Sequence, residues 1–363
     1  MSLRIGCCIT PHGFGHAART AAILEALGRR RPVHGVVVTL VPRWFFADSL
    51  SMPFSYHQLT TDIGLVQKNS LEEDLPATLQ ALNGYYPLAE ELVDRAVRLF
   101  TDCDCILCDI SPLGIVAADR LGVPSILVEN FTWDWIYRGY IDREPAFVPY
   151  IDYLQSLYGK ADYRLQTAPV CRPVATAFAT GPVSRQGRKD RQWIRRFLDI
   201  DEHALVVLIT MGGVSGDEYD MEPLRRADGY VFLVAGRGES LVRSGNLRLL
   251  PRQCGLYHPD LTGAADLVVG KVGYSTLAEV YAAGVPYGYI ARKEFRESGV
   301  LVDFIHRNRL GLEIRANELY SGDWLRQIPA IMALRCNKAG RENGADAAAD
   351  FILNTVMSSV MKK

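Results

Sequence analysis

The stretch PHGFGHAARTAAILEAL, from Pro11 to Leu27, decides how this chain is expected to fold. It follows the apolar run Ile5–Ile9 and continues as a helical pattern, so the segment predicts a strand, a tight turn and a helix. The turn places two glycines and two histidines within five residues. Residues that directly follow a strand of a parallel sheet line the ligand crevice, which makes this turn the first candidate site.

The same alternation of strands and helices continues along the chain. Further strand candidates are Gly35–Leu40, Cys105–Cys108, Ser125–Val128, Leu205–Thr210, Tyr230–Ala235, Leu267–Val269 and Pro286–Ile290. Unbroken apolar strands separated by helices are typical of parallel sheets covered on each face. We therefore predict an α/β fold with two Rossmann-like parallel-sheet domains that face each other across a cleft.

A chain of 363 residues is long enough for two domains. The segment Thr167–Trp193 is rich in proline, glycine and arginine and predicts the connection, with a helix beginning near Asp190. We place the N-terminal domain at residues 1–172 and the C-terminal domain at 173–345. A long helix over Ala339–Met357 has no strand after it, so residues 346–363 are expected to pack across the domain junction.

Composition excludes several classes of protein. A net charge of −1 provides no global basic field for nucleic acid. The chain lacks an apolar run of the ~20 residues that span a bilayer, and its start does not resemble a signal peptide, which predicts a cytoplasmic protein with reduced cysteines. Three adjacent aromatic residues, Trp44, Phe45 and Phe46, raise the alternative of membrane contact, although such residues more often lie in a core.

Three interpretations of the opening turn stay open. Residues 13–18, GFGHAA, fit the G-x-G-x-x-A dinucleotide pattern, but the second strand is not followed by the expected ribose-binding acid. The glycines Gly13 and Gly15 can also serve only the turn geometry. In the third interpretation, His16 at the start of the helix accepts a proton, because imidazole titrates near neutral pH.

A histidine base needs a carboxylate partner, and Asp109 is the candidate. It follows the strand Cys105–Cys108, so it falls at the same edge of the sheet as His16. The alternative is that Asp109, together with Ser111, caps the next helix.

Three blocks of sequence in this order resemble the GT-B glycosyltransferases: HGFGHAAR at 12–19, CDISPL and NFTWDWIY at 108–113 and 130–137, and GKVGYSTLAEVYAAGVP at 270–286. The most similar pattern is the glycosyltransferase-like region of L-arabinokinases and its bacterial relatives. The third block also resembles the N-acetylglucosaminyltransferase of peptidoglycan synthesis. One departure is Pro11, where the family usually has glycine.

The resemblance implies a metal-independent transfer of a sugar, with inversion, from a nucleotide sugar, most simply a UDP-sugar, to the hydroxyl of an unknown acceptor. No other cofactor is implied. On this basis the N-terminal domain takes the acceptor and the C-terminal domain takes the nucleotide sugar. His16 removes the proton of the acceptor hydroxyl, and Asp109 stabilises the imidazolium. Trp133 and Asp134 join the glycine turn on the acceptor side, although core packing is equally compatible with that tryptophan.

The glycines of the second half predict a site for the diphosphate. Gly212 and Gly213 follow the strand Leu205–Thr210 and can present backbone N–H groups, although a plain glycine turn would look the same. In the third block Gly273 precedes Ser275 and Thr276, either of which can N-cap a helix whose positive end faces phosphate.

Three acidic or basic side chains are assigned to the donor by the resemblance. Glu279 matches the family acid that accepts the ribose hydroxyls, with a capping box as the alternative. Arg296 and Glu297 match polar residues that meet the donor sugar, with a solvated charge run as the alternative.

Two lookalike metal motifs are rejected. Asp102-Cys103-Asp104 precedes a strand and so falls at the wrong edge of the sheet. Cys103 and Cys105 are expected to point to one face of a strand and Cys108 to the other, and no second cysteine pair or clustered histidine completes a tetrahedral zinc site. No metal is therefore expected.

Two other functions stay open. A sugar-nucleotide 2-epimerase of GT-B fold would need further acids and a basic residue around the sugar. A non-catalytic protein that binds a nucleotide sugar is the second alternative.

Overall fold

The computed structural model describes residues 2–212, 220–334, 336 and 341–360, with the side chains of residues 359 and 360 excepted. Its described part confirms the predicted α/β fold, with one seven-stranded sheet in each half of the chain. Each sheet carries an apolar cluster on each of its faces.

The first sheet is parallel and has the order β3-β2-β1-β4-β5-β6-β7. Its strands are β1 (Leu3–Ile9), β2 (Val33–Val38), β3 (Phe54–His57), β4 (Cys105–Asp109), β5 (Ser125–Glu129), β6 (Tyr163–Thr167) and β7 (Phe178–Thr180). Because β7 pairs with β6, this sheet extends to Thr180.

The second sheet has the order β10-β11-β9-β8-β12-β13-β14, and only β10 runs antiparallel to its described neighbour. Its strands are β8 (Leu205–Thr210), β9 (Tyr230–Ala235), β10 (Val242–Ser244), β11 (Leu247–Leu250), β12 (Leu267–Lys271), β13 (Tyr287–Ile290) and β14 (Gly311–Glu313). Sequence patterns identified the central strands of each sheet within a few residues and missed β3, β6, β7, β10, β11 and β14.

Helices cover the faces of the two sheets. Those of the first 200 residues are α1 (Gly15–Gly28), α2 (Arg43–Ser49), α3 (Leu75–Tyr85), α4 (Glu90–Phe100), α5 (Pro112–Leu121), α6 (Trp133–Tyr137), α7 (Val148–Tyr158) and α8 (Arg191–Phe197). The later ones are α9 (Glu222–Arg225), α10 (His258–Ala264), α11 (Tyr274–Ala283), α12 (Glu297–Arg307), α13 (Ala316–Ser321), α14 (Ile328–Met332), α15 (Gly344–Phe351) and α16 (Met357–Val360). Short 3₁₀ turns lie at Arg138–Tyr140, Pro145–Phe147 and Asp323–Gln327, and a π-helical turn at Ile352–Val356 joins α15 to α16.

The C-terminal helix returns to the first half of the chain. Ala345, Ala348 and Ala349 of α15 belong to the same apolar cluster as α1, and Arg30, just after the end of α1, pairs with Asp350 at 2.6 Å. The helix begins at Gly344 rather than near residue 339, because Asn343 caps its first turn by accepting from the Ala345 N–H.

The chain crosses between the halves at two places that lie side by side. The Gly344 N–H donates to the Pro182 carbonyl at 2.9 Å, and Asn343 exchanges hydrogen bonds with the backbone of Ser184. A Cβ atom on Gly344 would stand 2.1 Å from the Gly181 carbonyl oxygen, so only glycine fits at this crossing.

Among the described residues, no helix combines the length and the apolar character needed to cross a bilayer. The aromatic residues considered for membrane contact face inward: Phe45 and Phe46 are buried, and Trp44 packs against Phe14 at the cleft.

Candidate active site

Two adjoining cavities occupy the cleft between the carboxyl ends of the sheets. The smaller has a volume of about 100 Å³ and contains His12, His16, Lys271, Arg292 and Glu297 in its wall. The larger has a volume of about 370 Å³, within the range of small-molecule sites. The walls of the two share Phe14, Gly212, Ser275 and Thr276. One elongated ligand can therefore run through both.

His16 lies in the first turn of α1 and faces the smaller cavity with 8% of its surface exposed. Gly13 makes the preceding turn with φ of +73°, which a side chain would strain. A Cβ atom on Gly15 would stand 3.7 Å from Ser275 Oγ, so the starts of α1 and α11 meet at this cavity. The glycine turn thus brings a histidine of one half beside the other half.

Asp109 is the last residue of β4 and is fully buried. Its Oδ1 lies 2.8 Å from His16 Nδ1, so the structure brings the two predicted residues together. Ser111, rather than Asp109, is the N-cap residue of α5, and its hydroxyl donates to the Thr61 carbonyl instead of capping the helix. The structure therefore places the Asp109 carboxylate on the histidine and not on the helix.

The charges around this pair determine the protonation states. Burial alone would raise the pKa of Asp109, but Arg19 and the hydrogen bonds from His16 and Arg19 bring it below the ordinary value of 3.8. Burial lowers the pKa of His16 below 6.5, opposed by Asp109 and assisted by Arg19. The resting site is therefore a neutral imidazole against an ionised carboxylate.

Two polar residues of this site were missed from the sequence. Arg19 donates to Asp109 through Nε and Nη2, and to Asn130 Oδ1 at 2.8 Å. Its spacing of three residues from His16 on α1 was the available signal, because residues at i and i+3 share a helix face. Asn130 follows β5 and had no comparable signal.

The start of α11 faces the larger cavity. Its N-cap is Gly273, so neither Ser275 nor Thr276 caps the helix as predicted. The first helical hydrogen bond runs from the Leu277 N–H to the Gly273 carbonyl, which leaves the N–H groups of Ser275 and Thr276 ahead of the helical ladder. Such an end can bind phosphate.

Gly212 lines the same two cavities as this helix end and has φ of +76°. Lys271, the last residue of β12, reaches it, since a Cβ atom on Gly212 would lie 3.4 Å from Lys271 Cε. Gly213, the other predicted glycine, lies outside the described residues.

Glu279 is buried at the wall of the larger cavity and is not part of a capping box. Its Oε1 accepts from Arg185 Nε and Nη2 at 3.2 and 3.0 Å, and its Oε2 lies 2.7 Å from His258 Nδ1. Burial would raise the pKa of Glu279, but Arg185 and His258 bring it below 4.5, so the carboxylate stays ionised. Arg185 comes from the interdomain connection and had no sequence signal.

The first half also contributes to the larger cavity. Phe14, Trp44, Phe45 and Asp48 line it together with Glu279. Phe14 stacks on Phe45 with ring centroids 5.0 Å apart, and the Arg185 guanidinium lies over Phe45 at 4.7 Å. The donor site predicted mainly for the C-terminal domain therefore also has a wall from the first half.

The structure separates the two residues assigned to the donor sugar. Glu297 is buried in the wall of the smaller cavity, and Asn130 Nδ2 donates to its Oε1 at 2.6 Å. Burial raises the pKa of Glu297. Arg296 is exposed and lies outside that wall: its guanidinium stacks on the Trp135 ring at 4.0 Å and donates to the Trp135 carbonyl.

Trp133 and Asp134, assigned to the acceptor side, lie in the core of the first half and not at the cleft surface. Trp133 Nε1 donates to Asp62 Oδ2 at 3.2 Å, and Asp134 pairs with Arg172 at 3.1 Å. Burial raises the pKa of Asp62 to about 7, which makes it a buried acid that the sequence did not reveal. These two side chains lie in the first turn of α6, whose residues are all buried.

The rejected metal motifs are accounted for by other contacts. Asp104 Oδ2 accepts from the Arg4 N–H at 2.7 Å, at the edge of the sheet away from the cleft. Cys105 and Cys108 lie in different apolar clusters as expected, but the expectation for Cys103 was wrong, because it lies in the cluster of Cys108 and not in that of Cys105. Within the described ranges, no three His, Cys, Asp or Glu side chains gather in a metal-binding arrangement.

Comparison with known proteins supports the fold and the sequence resemblance. The chain is 28% identical over 357 residues to L-arabinokinase of Arabidopsis thaliana; this covers 96% of the chain and 34% of that protein. The chain thus spans about a third of the length of this curated relative. No family model matches it.

Solved structures share the architecture over the whole chain. Arabidopsis thaliana UGT89C1 complexed with UDP has a TM-score of 0.62 at 15% identity, over 99% of this chain and 100% of that one. The glycosyltransferase SnogD of Streptomyces nogalater has a TM-score of 0.55 at 16% identity, over 100% and 98%. The predicted GT-B fold is confirmed.

Proposed function

We propose that this GT-B chain is a glycosyltransferase that moves a sugar from a nucleoside diphosphate sugar to an acceptor hydroxyl. The observation that carries the proposal is the His16–Asp109 pair, 2.8 Å apart, on the wall of a small cavity that adjoins a larger one. The sequence similarity to L-arabinokinase and the shared fold with a UDP complex support it.

The two cavities suggest how the donor lies. The nucleoside occupies the larger cavity, with the ribose near Glu279 and the base toward Trp44. The diphosphate lies at the start of α11, opposite Gly212 and near Lys271, where N–H groups and a positive charge converge. The sugar then enters the smaller cavity, between His16 and Glu297.

The chemistry follows from this placement. The Nδ1–H of His16 donates to Asp109, so Nε2 is free to accept the proton of the acceptor hydroxyl. The acceptor oxygen forms a bond to the anomeric carbon while the bond from that carbon to the diphosphate breaks. One direct displacement inverts the configuration. The helix end and Lys271 stabilise the charge that develops on the departing diphosphate.

A nucleotide-sugar screen tests the proposal. A ligand present at one hundred times its Kd stabilises a protein by about 2.7 kcal/mol, so a true donor is expected to raise the melting temperature clearly. The hit is then incubated with the protein and with candidate acceptors, and the products are identified by mass spectrometry and NMR. A glycosylated acceptor supports the proposal. An epimerised donor, or a donor bound but never consumed with any acceptor, contradicts it.

Trp44 gives a direct readout of the donor pose. We expect UDP to quench tryptophan fluorescence in a saturable way, because the base stacks near this ring in the larger cavity. In Trp44→Phe the quenching should be lost while UDP still binds by calorimetry. Trp193→Phe is the matched control, since Trp193 packs on Phe197 away from either cavity. Quenching that survives in Trp44→Phe would remove the base from this wall.

Activity is expected to persist in EDTA. The proposed site stabilises the diphosphate with the start of α11 and Lys271, so a divalent cation has no assigned role. Turnover measured in EDTA should equal turnover in added magnesium or manganese within twofold. Loss of activity in EDTA with recovery in manganese would overturn the metal-independent mechanism.

A further inference from the structure

Arg19 lies next to His16, the proposed base, and is 1% exposed. Its Nε donates to Asp109 Oδ2 at 3.0 Å, and its Nη2 donates to Oδ1 at 2.5 Å. This is the bidentate fork in which arginine binds a carboxylate most firmly. The guanidinium therefore fixes the plane of the carboxylate.

The carboxylate of Asp109 is fully satisfied. Oδ1 accepts from Arg19 and His16, and Oδ2 accepts from Arg19 and from the Thr20 hydroxyl at 2.9 Å. Four donors match the roughly four acceptor positions of a carboxylate. Asp109 consequently has a single orientation while Arg19 is in place.

Arg19 is itself held from its other side. Nη1 donates to Asn130 Oδ1 at 2.8 Å and to the Thr167 hydroxyl at 3.2 Å. The cation also lies 5.0 Å from the ring centre of Tyr274, in the first turn of α11. Because Tyr274 belongs to the second half of the chain, Arg19 also contacts that half.

The same geometry assigns the tautomer of His16. Arg19 Nη2 lies 3.2 Å from His16 Nδ1, and Asp109 Oδ1 lies 2.8 Å from it. An arginine can only donate and an ionised carboxylate can only accept, so Nδ1 cannot satisfy the two at once. The shorter contact is the one to the carboxylate, so the proton is on Nδ1 and Nε2 is unprotonated.

We propose that Arg19 is a positioning residue: it locks the Asp109 carboxylate so that His16 is held as the Nδ1–H tautomer with Nε2 as the proton acceptor. The catalytic use of Nε2 rests on the proposed function, whereas the lock itself does not. Arg19 also offsets the charge of Asp109, which by itself would favour the imidazolium form.

The direction in which the charge of Arg19 shifts the pKa of His16 can be predicted. Burial and Arg19 lower the pKa of His16, while Asp109 raises it. Without the guanidinium the pKa of His16 rises, a larger fraction is protonated at neutral pH, and the acidic limb of activity moves to higher pH. The other titratable or charged groups that line this cavity are His12, Lys271, Tyr274, Arg292 and Glu297, and the variants below leave them unchanged.

Nitrogen-15 NMR of the histidine side chains tests the lock without substrate. The signals of His16 are assigned by their loss in His16→Gln. In the wild-type protein we expect the neutral ring to be the Nδ1–H form with a midpoint below 6.5. Arg19→Gln should move the midpoint to higher pH. Arg19→Lys keeps the charge but not the fork, so its midpoint should stay near wild type while the Nε2–H tautomer appears.

Arg195→Gln is the matched control, because Arg195 is a buried arginine that pairs with Asp266 in the second half. It should lower stability without moving the His16 titration. An Nε2–H tautomer in the wild-type protein, or an unchanged midpoint in Arg19→Gln, overturns the proposal. If Arg19→Gln does not fold, the wild-type tautomer and the Arg19→Lys spectrum decide.

The two proposals fail separately. If the NMR results are as expected but no sugar is transferred, the lock stands and the glycosyltransferase assignment is wrong. If sugar is transferred and the acidic limb of kcat does not move in Arg19→Gln, Arg19 is only a structural residue.

Discussion

Replacing His16 by glutamine is expected to lower turnover by about 10²–10⁴, the usual contribution of a general base. Glutamine has a similar size and can hydrogen-bond Asp109, but it cannot take up a proton. The affinity for UDP should stay within a few fold, because the nucleoside and diphosphate contact other residues. The measurement is kcat with the identified acceptor, together with the Kd for UDP by calorimetry.

The pH profile adds a second criterion. A base must be neutral to accept a proton, so the wild-type rate falls as the pH decreases through the pKa of His16. Burial lowers that pKa, so the limb should lie below 6.5. It should be absent in His16→Gln and present in the control His306→Gln, an exposed histidine that pairs with Tyr289. If His16→Gln has wild-type turnover and still shows the acidic limb of the pH profile, His16 is not the catalytic base and serves only the geometry of the turn.

Glu279→Ala is expected to destabilise the protein by about 3–5 kcal/mol, because it leaves a buried positive charge without its partner. Arg185 donates two hydrogen bonds to this carboxylate, and its side chain is only 8% exposed. UDP affinity should fall as well, since the ribose contact and the pocket wall are lost together. Urea unfolding and calorimetry measure the two effects.

Two further variants separate these effects. Glu279→Gln keeps the shape of the wall and should cost less stability than Glu279→Ala. Glu239→Ala, at an exposed glutamate of the same half, should change neither property. Wild-type affinity for UDP in a folded Glu279 variant would contradict the ribose assignment, and wild-type stability in Glu279→Ala would contradict the importance of its pairing with Arg185.

The sequence predicts the central strands of the fold much better than the outer ones. Strands such as β4 and β8 are nearly continuous apolar runs because helices cover them on each face. Strands β3 and β6 read FSYH and YRLQT, and β3 is only partly buried along its length. A short strand near a sheet edge takes its structure from its neighbour, so its own composition gives little signal.

The same limit applies to the site. His16 and Asp109 were predictable because each stands where a strand ends, and parallel strands bring their ends together. Arg185 and Asn130 could not be predicted, because their contacts depend on side chains of distant segments: Arg185 meets Glu279, and Asn130 meets Arg19. The inward turn of Trp133 was equally hidden, since an aromatic residue after a strand can face either way.

The side-by-side crossing of the chain has a mechanical consequence. Two separate connecting segments would allow one half both to rotate and to translate relative to the other. Here the two segments are hydrogen-bonded to each other at Pro182 and Gly344, so they act as a single hinge point. We therefore expect relative motion of the halves to be a rotation about this point that opens the opposite side of the cleft. Residues near the hinge point move little, and those at the rim move most. A bulky residue at Gly344 would push these two segments apart and change the orientation of one half relative to the other.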